Sequence, residues 1–161
     1  MKKARPVDRS SKGGGPRLQD TVRLSAAGAG MLLGDLEHRV LQAAWAVRRP
    51  ASARELFERV VRTHEIVYIT CVTVANRLVD KGVLTRRKEG ELFHYSATLS
   101  KEEFVQFASR HVVRRIVGLG PLAVAASLVD VLAERDPAEL AELGRLVRSK
   151  MRQTDRATKD D

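Results

Sequence analysis

Apolar residues recur at helical spacing in two segments at the start of the patterned part of the chain. Spacings of three and four residues place side chains on one face of a helix. The first set is Leu36, Val40, Leu41, Ala44 and Trp45, and the second is Leu56, Phe57, Val60 and Val61. Ser52, with Glu55 three residues later, forms a capping-box sequence for the second helix. We therefore predict two helices separated by a break at Pro50.

A third helix is predicted from Ile69 to Lys81, a stretch without Gly or Pro. Its apolar face carries Cys71, Val74, Ala75 and Leu78. The opposite face offers Thr, Asn and Arg side chains. Gly82 follows at the position where a left-handed C-cap favours glycine. Residues 83–95 then form two short runs around a Glu-Gly turn, which predicts a β-hairpin.

Beyond Ser100 the pattern is helical again. A capping box at Ser100–Glu103 opens one helix, residues 118–121 interrupt it, and Asp136-Pro137 is a strong start signal for the last helix. This block is too short to enclose a core of its own, so we infer that two copies pack together as a homodimer. The predicted dimerisation residues are Phe104, Phe107, Val112, Ile116, Leu128, Val131, Leu132, Leu140, Leu143, Leu146 and Val147.

Three helices followed by a hairpin are the layout of a winged helix-turn-helix. We predict a mainly α protein with a small β-hairpin wing, divided into four parts. Residues 1–32 form a disordered basic arm, 33–99 a winged-helix DNA-binding domain, 100–153 a helical dimerisation region, and 154–161 a frayed tail. A helix offering Thr, Asn and Arg beside a basic hairpin suits a helix in the major groove with a wing on the phosphates.

The charge balance favours a polyanionic partner. The formal net charge is +9, but residues 1–32 hold seven Lys/Arg against two Asp/Glu, so more than half of the excess lies in the arm. Nucleic acid is the first candidate partner and an anionic membrane surface the second. No membrane insertion is expected, because the longest uncharged run, Ile116–Val129, is too short to span a bilayer. No signal peptide is recognised, and we predict a cytoplasmic location.

Catalytic, metal and cofactor sites are not predicted. Cys71 is the single cysteine, so cysteine-rich metal sites and intrachain disulfides are excluded. On the apolar face of the third helix it is expected to act as a small buried hydrophobe and not as a redox switch. The four histidines fall in separate elements without ligand spacing. There is no phosphate-cradling glycine loop and no nucleophile–base set, so an enzyme is not expected.

Several of these segments resemble the penicillinase-repressor family of bacterial winged-helix regulators, the BlaI/MecI/CopY group. The resemblance covers about Leu33 to Arg152. Its motifs are LGDLEHRVLQAAW at 33–45, the T-x-x-T-x-x-x-R-L spacing from Thr70 to Leu78 followed by Asp-Lys-Gly, and the wing segment Arg-Lys-Glu-Gly ahead of Phe93-His94-Tyr95. The combination is fairly specific, although each piece alone is weak.

The resemblance implies a homodimeric repressor that binds an inverted-repeat operator in double-stranded DNA. The groove-facing residues would be Thr70, Thr73 and Arg77, to which the polar face adds Asn76. Arg86, Arg87 and Lys88 would be wing contacts to the DNA backbone, a role that their charge also supports. Arg77 could bind guanine or a phosphate, and the sequence leaves both roles open.

Two departures from the family concern the inducing signal. Members released by a membrane-bound sensor protease are cut at an Asn-Phe bond, and the matching position here is His111-Val112. Copper-responsive members carry C-terminal cysteine pairs, which this chain lacks. The upstream sensor is therefore not predicted. Two alternative functions stay open: a winged helix used for protein–protein assembly, and a ligand- or redox-gated winged-helix sensor.

Overall fold

The computed structural model describes Pro16, Gly30 and residues 32–158. The predicted arm 1–32 lies, apart from Pro16, Gly30 and Leu32, outside the described residues, and so does the end of the predicted tail, 159–161. In chain order the elements are α1 (Asp35–Val47), β1 (Ala51–Ser52), α2 (Ala53–Val60), α3 (Tyr68–Asp80), β2 (Leu84–Glu89), β3 (Leu92–Ala97), α4 (Lys101–Ile116), a short 3-10 turn (Val117–Leu119), α5 (Pro121–Arg135) and α6 (Pro137–Ala157). The predicted mainly α fold with a hairpin wing is confirmed.

The helix ends follow the local sequence signals. Ser52 Oγ accepts a hydrogen bond from the Glu55 N–H at 3.3 Å, and the Glu55 carboxylate accepts one from the Ser52 N–H at 2.9 Å. Arg49 also donates to Glu55, and this contact lowers the pKa of the Glu55 carboxyl to about 2. Gly82 has a φ of 73°, the left-handed conformation expected of a residue that ends α3.

A three-stranded antiparallel sheet supports the wing, with strand order β1-β3-β2. The hairpin pairs Arg86 with Tyr95 and Glu89 with Leu92. The third strand, β1, was not predicted; it is two residues long and pairs Ala51 with Tyr95. A two-residue strand is too short to show an alternation of apolar and polar residues. Its pairing is instead determined by β3, whose Tyr95 lies more than 40 residues away in the sequence.

The hydrophobic core lies where α1, α2 and α3 pack together against the sheet. Its largest fully buried side chains include Leu33, Leu41, Leu56, Leu78, Leu84, Tyr95 and Phe104. Trp45 lies at the edge of this core, where its Nε1–H donates to the Leu99 carbonyl at 2.9 Å. The Trp45 and Phe104 rings meet edge to face, with centroids 5.6 Å apart.

The chain forms two compact units, which divide between Arg110 and His111. The first turns of α4 belong to the first unit, because Phe104 is 1% exposed and Ala108 is buried as well. We predicted Phe104 as a dimerisation residue, but its side chain lies in the core of the first unit. Phe107, one turn away, is half-buried.

The second unit has no buried residue between His111 and Thr158. Its exposed apolar side chains include Leu119 (86%) and Leu122 (87%), with Val131, Leu146, Val147 and Met151 about half exposed. A helical unit of this kind leaves its apolar surface in water unless another chain covers it. The last helix, α6, continues to Ala157, into the segment 154–161 that we predicted as a frayed tail.

Within the described part of the chain, no single helix is long and apolar enough to cross a membrane. One bent pair, Lys101–Leu119 with Pro121–Arg135, reaches that length and composition only when its two halves are taken together.

A partly buried ion pair joins α1 to the end of α3. Lys81 Nζ lies 2.7 Å and 2.8 Å from the two carboxylate oxygens of Glu37, and the two side chains are 24% and 12% exposed. The same carboxylate accepts a hydrogen bond from the Gly34 N–H at 3.1 Å. Glu37 therefore caps its own helix and ties α1 to α3.

Replacing Lys81 with Met is expected to lower the free energy of unfolding by about 1–3 kcal/mol, because the Glu37 charge would stay partly buried without its partner. Urea unfolding of the purified variant measures this loss. The matched control is Arg54→Met, which breaks an exposed pair with Glu58 and should cost less than about 0.5 kcal/mol. Equal losses in the two variants would contradict the assignment of a structural role to the Lys81–Glu37 pair.

Candidate nucleic-acid interface

Helix α3 has one buried face and one exposed face. Cys71, Val74, Ala75 and Leu78 are buried against α1 and α2, as the sequence predicted. On the exposed face, Ile69, Thr73 and Arg77 follow one another at intervals of four residues. Residues at this spacing are neighbours along the helix surface. We call these three side chains the exposed row of α3.

The exposed row changes in chemistry along the helix. Ile69 is 66% exposed. The Thr73 hydroxyl donates to the Ile69 carbonyl at 2.9 Å, so its oxygen is left to act as an acceptor toward any other group. The Arg77 side chain is exposed and makes no hydrogen bond or ion pair with the described residues, and only its backbone carbonyl accepts a hydrogen bond, from the Lys81 N–H at 3.0 Å. Thr70 lies beside the row and is half-buried.

Asn76 and Arg86 connect α3 to the wing. Arg86 Nη1 donates to Asn76 Oδ1 at 2.7 Å, and the Tyr95 hydroxyl donates to the same oxygen at 3.1 Å. The Arg86 guanidinium also lies over the Phe93 ring, 4.4 Å from its centroid. We call this group, Asn76, Arg86, Phe93 and Tyr95, the helix–wing clamp.

The clamp places two predicted contact residues in internal interactions. The amide oxygen of Asn76 already accepts two hydrogen bonds, and Arg86 is engaged by both Asn76 and Phe93. Burial raises the pKa of Tyr95, so its hydroxyl keeps the proton that it donates to Asn76. The structure thus brings Asn76 and Arg86 together to fix the angle between α3 and the hairpin.

The free cations of the wing are Arg87 and Lys88. Both are exposed and have no ion-pair partner within the described residues. They pair in register with His94 and Phe93 respectively, so they point to opposite faces of the hairpin. The turn also carries acids: Glu89 Oε2 lies 3.6 Å from His94 Nδ1. The wing therefore presents positive charge on both faces, with acidic residues at its tip.

Cys71 is fully buried, and burial raises the pKa of its thiol to about 11. The thiol is therefore protonated and unreactive at neutral pH. Among the described residues there is no group of three or more His, Cys, Asp or Glu side chains that could hold a metal ion.

We expect Cys71 to resist alkylation in the native protein at pH 8 and to react fully in urea. Because its folded-state pKa is raised, the buried thiol stabilises the fold below the usual pKa of 9.0, and this contribution is lost as the pH rises toward about 11. The loss is at most about 1.4 kcal/mol per pH unit. Alkaline denaturation should be steeper for the wild type than for Cys71→Ala, and equal slopes would contradict this.

An open cleft of about 870 Å³ lies in the first unit, beside the end of α1 and the start of α4. Its lining includes Trp45, Arg48, Arg49 and Lys101. Arg49 is engaged by Glu55. This cleft was not predicted, since its walls come from segments some 50 residues apart.

Two further members of the candidate interface, Ile69 and Tyr95, were not predicted either. A signal for Ile69 was present, because an apolar residue four positions before Thr73 falls on the otherwise polar face. Tyr95 gave no such signal, since an aromatic residue in a strand is the ordinary composition of a core.

Comparison with known proteins gives one family and several distant relatives. Residues 33–149 match the family model described as penicillinase repressor. A protein of Latilactobacillus sakei, named "Uncharacterized 16.5 kDa protein in ptsI 3'region", is 28% identical over 109 residues, which are 66% of this chain and 74% of that protein. The protein named transcriptional regulator BlaI in two strains of Mycobacterium tuberculosis is 27% identical over 73 residues.

These 73 residues are 45% of this chain and 53% of the mycobacterial protein, so the match spans about half of that regulator. A solved structure described as giving insights into the DNA recognition and protein interaction domains of HOP2 aligns with 38% of this chain at 21% identity. Its TM-score of 0.36 is too low to support an argument about the fold.

Proposed function

Since the chain belongs to the penicillinase repressor family, we propose that it is a DNA-binding transcriptional repressor that binds an inverted-repeat operator as a homodimer. The observation that carries the proposal is the exposed row of α3 beside a wing with two unpaired cations, Arg87 and Lys88. The family is one of transcriptional repressors.

In the proposed complex, α3 enters the major groove and the wing follows the adjacent backbone. Thr70, Thr73 and Arg77 would face the base edges. Arg87 and Lys88 would contact phosphates, which fix the register of the protein on the duplex without selecting a sequence. Asn76 and Arg86 would have an indirect role, because the helix–wing clamp holds the two contacting elements, α3 and the wing, at one angle.

The second unit supports dimerisation. Residues 111–158 have no buried side chain of their own. The predicted residues Leu128, Val131, Leu146 and Val147 are 47–59% exposed. Val112, Ile116, Leu132, Leu140 and Leu143 complete the proposed surface. We leave Phe104 out of it, because its side chain is part of the first unit's core. A two-fold dimer would present two α3 helices to two half-sites about one helical turn apart.

A selection on fragmented genomic DNA tests this function. The purified protein is expected to enrich an inverted repeat and to keep a preference for it at physiological salt. Binding to all fragments alike, lost steeply as the salt concentration rises, would mean that the charge of +9 produces only non-specific attraction. The protein–protein assembly function would then become the better proposal.

Replacing Arg77 with Ala is expected to weaken operator binding by about 1–3 kcal/mol and to relax the preference at one base position if the guanidinium binds a base. Arg87→Ala is the comparison, because a phosphate contact should weaken all sequences alike and reduce the salt dependence by about one charge. Affinities of both variants for the operator and for scrambled DNA separate the two roles. A uniform loss in Arg77→Ala would assign Arg77 to the backbone.

The ligand-gated sensor is a second candidate function because of the cleft beside Trp45, whose volume is in the range of small-molecule sites. The redox-gated form has no such support, since Cys71 is buried with a raised pKa. A metabolite screen by thermal shift on the operator-binding protein tests the ligand-gated form, for which a hit must also change operator affinity.

A further inference from the structure

We propose that Ile69 is a specificity-determining residue, which selects operators with a thymine at one position of each half-site by packing on the C5-methyl group. This inference rests on the proposed function. It adds an apolar contact to an interface whose other predicted members are all polar or charged.

Ile69 is the most exposed of three consecutive apolar residues at the start of α3, where Val67 is 63% and Tyr68 is 43% exposed. It is 66% exposed in the first turn of α3, the helix that the proposed function places in the groove. A large β-branched side chain in this setting is costly to leave in water, and covering it would be favourable. Ile69 is in line with Thr73 and Arg77, so a duplex that contacts these two residues also reaches Ile69.

Major-groove chemistry offers one apolar partner for such a side chain. Base edges in the groove present hydrogen-bond donors and acceptors, and the thymine methyl is the exception. The positive charges of Arg77 and the wing favour a polyanion over a protein partner at this surface. We therefore assign the exposed face to DNA and not to a peptide or a second protein.

The exposed row also fixes where the thymine should lie. Ile69 and Arg77 are eight residues apart, a distance of about 12 Å along a helix. Base pairs are stacked about 3.4 Å apart. The thymine that depends on Ile69 should thus fall within about four base pairs of the position that depends on Arg77.

Deoxyuridine substitution tests the assignment, because deoxyuridine differs from thymidine only in lacking the C5-methyl group. Each thymine of the operator obtained by genomic selection is replaced in turn, and binding of the wild type and of Ile69→Ala is measured at one salt concentration. The matched control is Val105→Ala, an exposed valine (42%) on α4, outside α3 and the wing. Circular dichroism verifies that the three proteins are equally folded.

For the wild type and for Val105→Ala, we expect a loss of about fourfold at one thymine per half-site, which corresponds to one buried methyl group, about 0.8 kcal/mol. For Ile69→Ala, no loss is expected at that position. Two results would overturn the role of Ile69 while leaving the repressor function intact. One is a wild-type affinity that no deoxyuridine substitution changes; the other is a loss of affinity in Ile69→Ala equal to that of the wild type. Failure to enrich any operator would instead overturn the proposed function itself.

Discussion

Replacing Phe104 with Ala should destabilise the first unit by about 3–5 kcal/mol, the cost of removing a fully buried aromatic side chain. The phenyl ring is 1% exposed and packs edge to face on Trp45, so its removal leaves a cavity between α1 and α4. Urea unfolding followed by Trp45 fluorescence measures the loss directly, since the single tryptophan of the chain lies at the site of the change.

Val105→Ala is the control for this experiment. Val105 is the next residue of α4 but is 42% exposed, and its truncation should cost less than about 1 kcal/mol. The sequence pattern alone assigned Phe104 to a dimer interface. If Phe104→Ala leaves the unfolding free energy unchanged and weakens self-association, that first assignment is correct and the core role is wrong.

A charge placed on the exposed apolar side of α6 should separate the proposed dimer. Val147→Glu is expected to weaken dimerisation by about 3 kcal/mol or more, over a hundredfold, because the interface would have to bury an unpaired carboxylate. Val147 is 49% exposed in the single chain, so the substitution should leave the protomer folded. Sedimentation equilibrium measures the dissociation constant, and operator affinity should fall with it.

The matched control for Val147→Glu is Ala141→Glu. It adds the same charge to another exposed position of α6, six residues earlier and on a different side of the helix. A dimer that tolerates both substitutions would exclude this side of α6 from the interface. A chain that is monomeric before any substitution would remove the homodimer from the proposed function altogether.

Local signals in the sequence were sufficient for most of the secondary structure. The capping box of Ser52 and Glu55 and the positive φ of Gly82 depend on residues within a few positions of one another. Helical periodicity likewise identified the buried face of α3, because the residues that share a face are fixed by helix geometry. What these signals specify is an element and its orientation, and both were predicted well.

Contacts between distant segments were not predictable in this way. Asn76 and Arg86 looked like two separate DNA contacts, one on the helix and one on the wing, until the fold joined them through a 2.7 Å hydrogen bond. Phe104 has the same helical spacing as its exposed neighbours, and its burial depends on residues outside α4, among them Trp45. A sequence pattern identifies the exposed and buried sides of one element, but it does not identify the residues of other elements that pack against that side.

The order of strands in the small sheet has a consequence for aggregation. β3 pairs with β2 along its length and with β1 at His94 and Tyr95, whereas the outer side of β2 has no partner strand in the sheet. An uncovered edge can pair with a strand of another molecule, and charged side chains on the edge prevent this. Arg87 and Lys88 lie in the middle of β2, so the two cations proposed to contact DNA also oppose edge-to-edge pairing between free protein molecules. Neutralising the wing would therefore cost the protein solubility as well as DNA affinity.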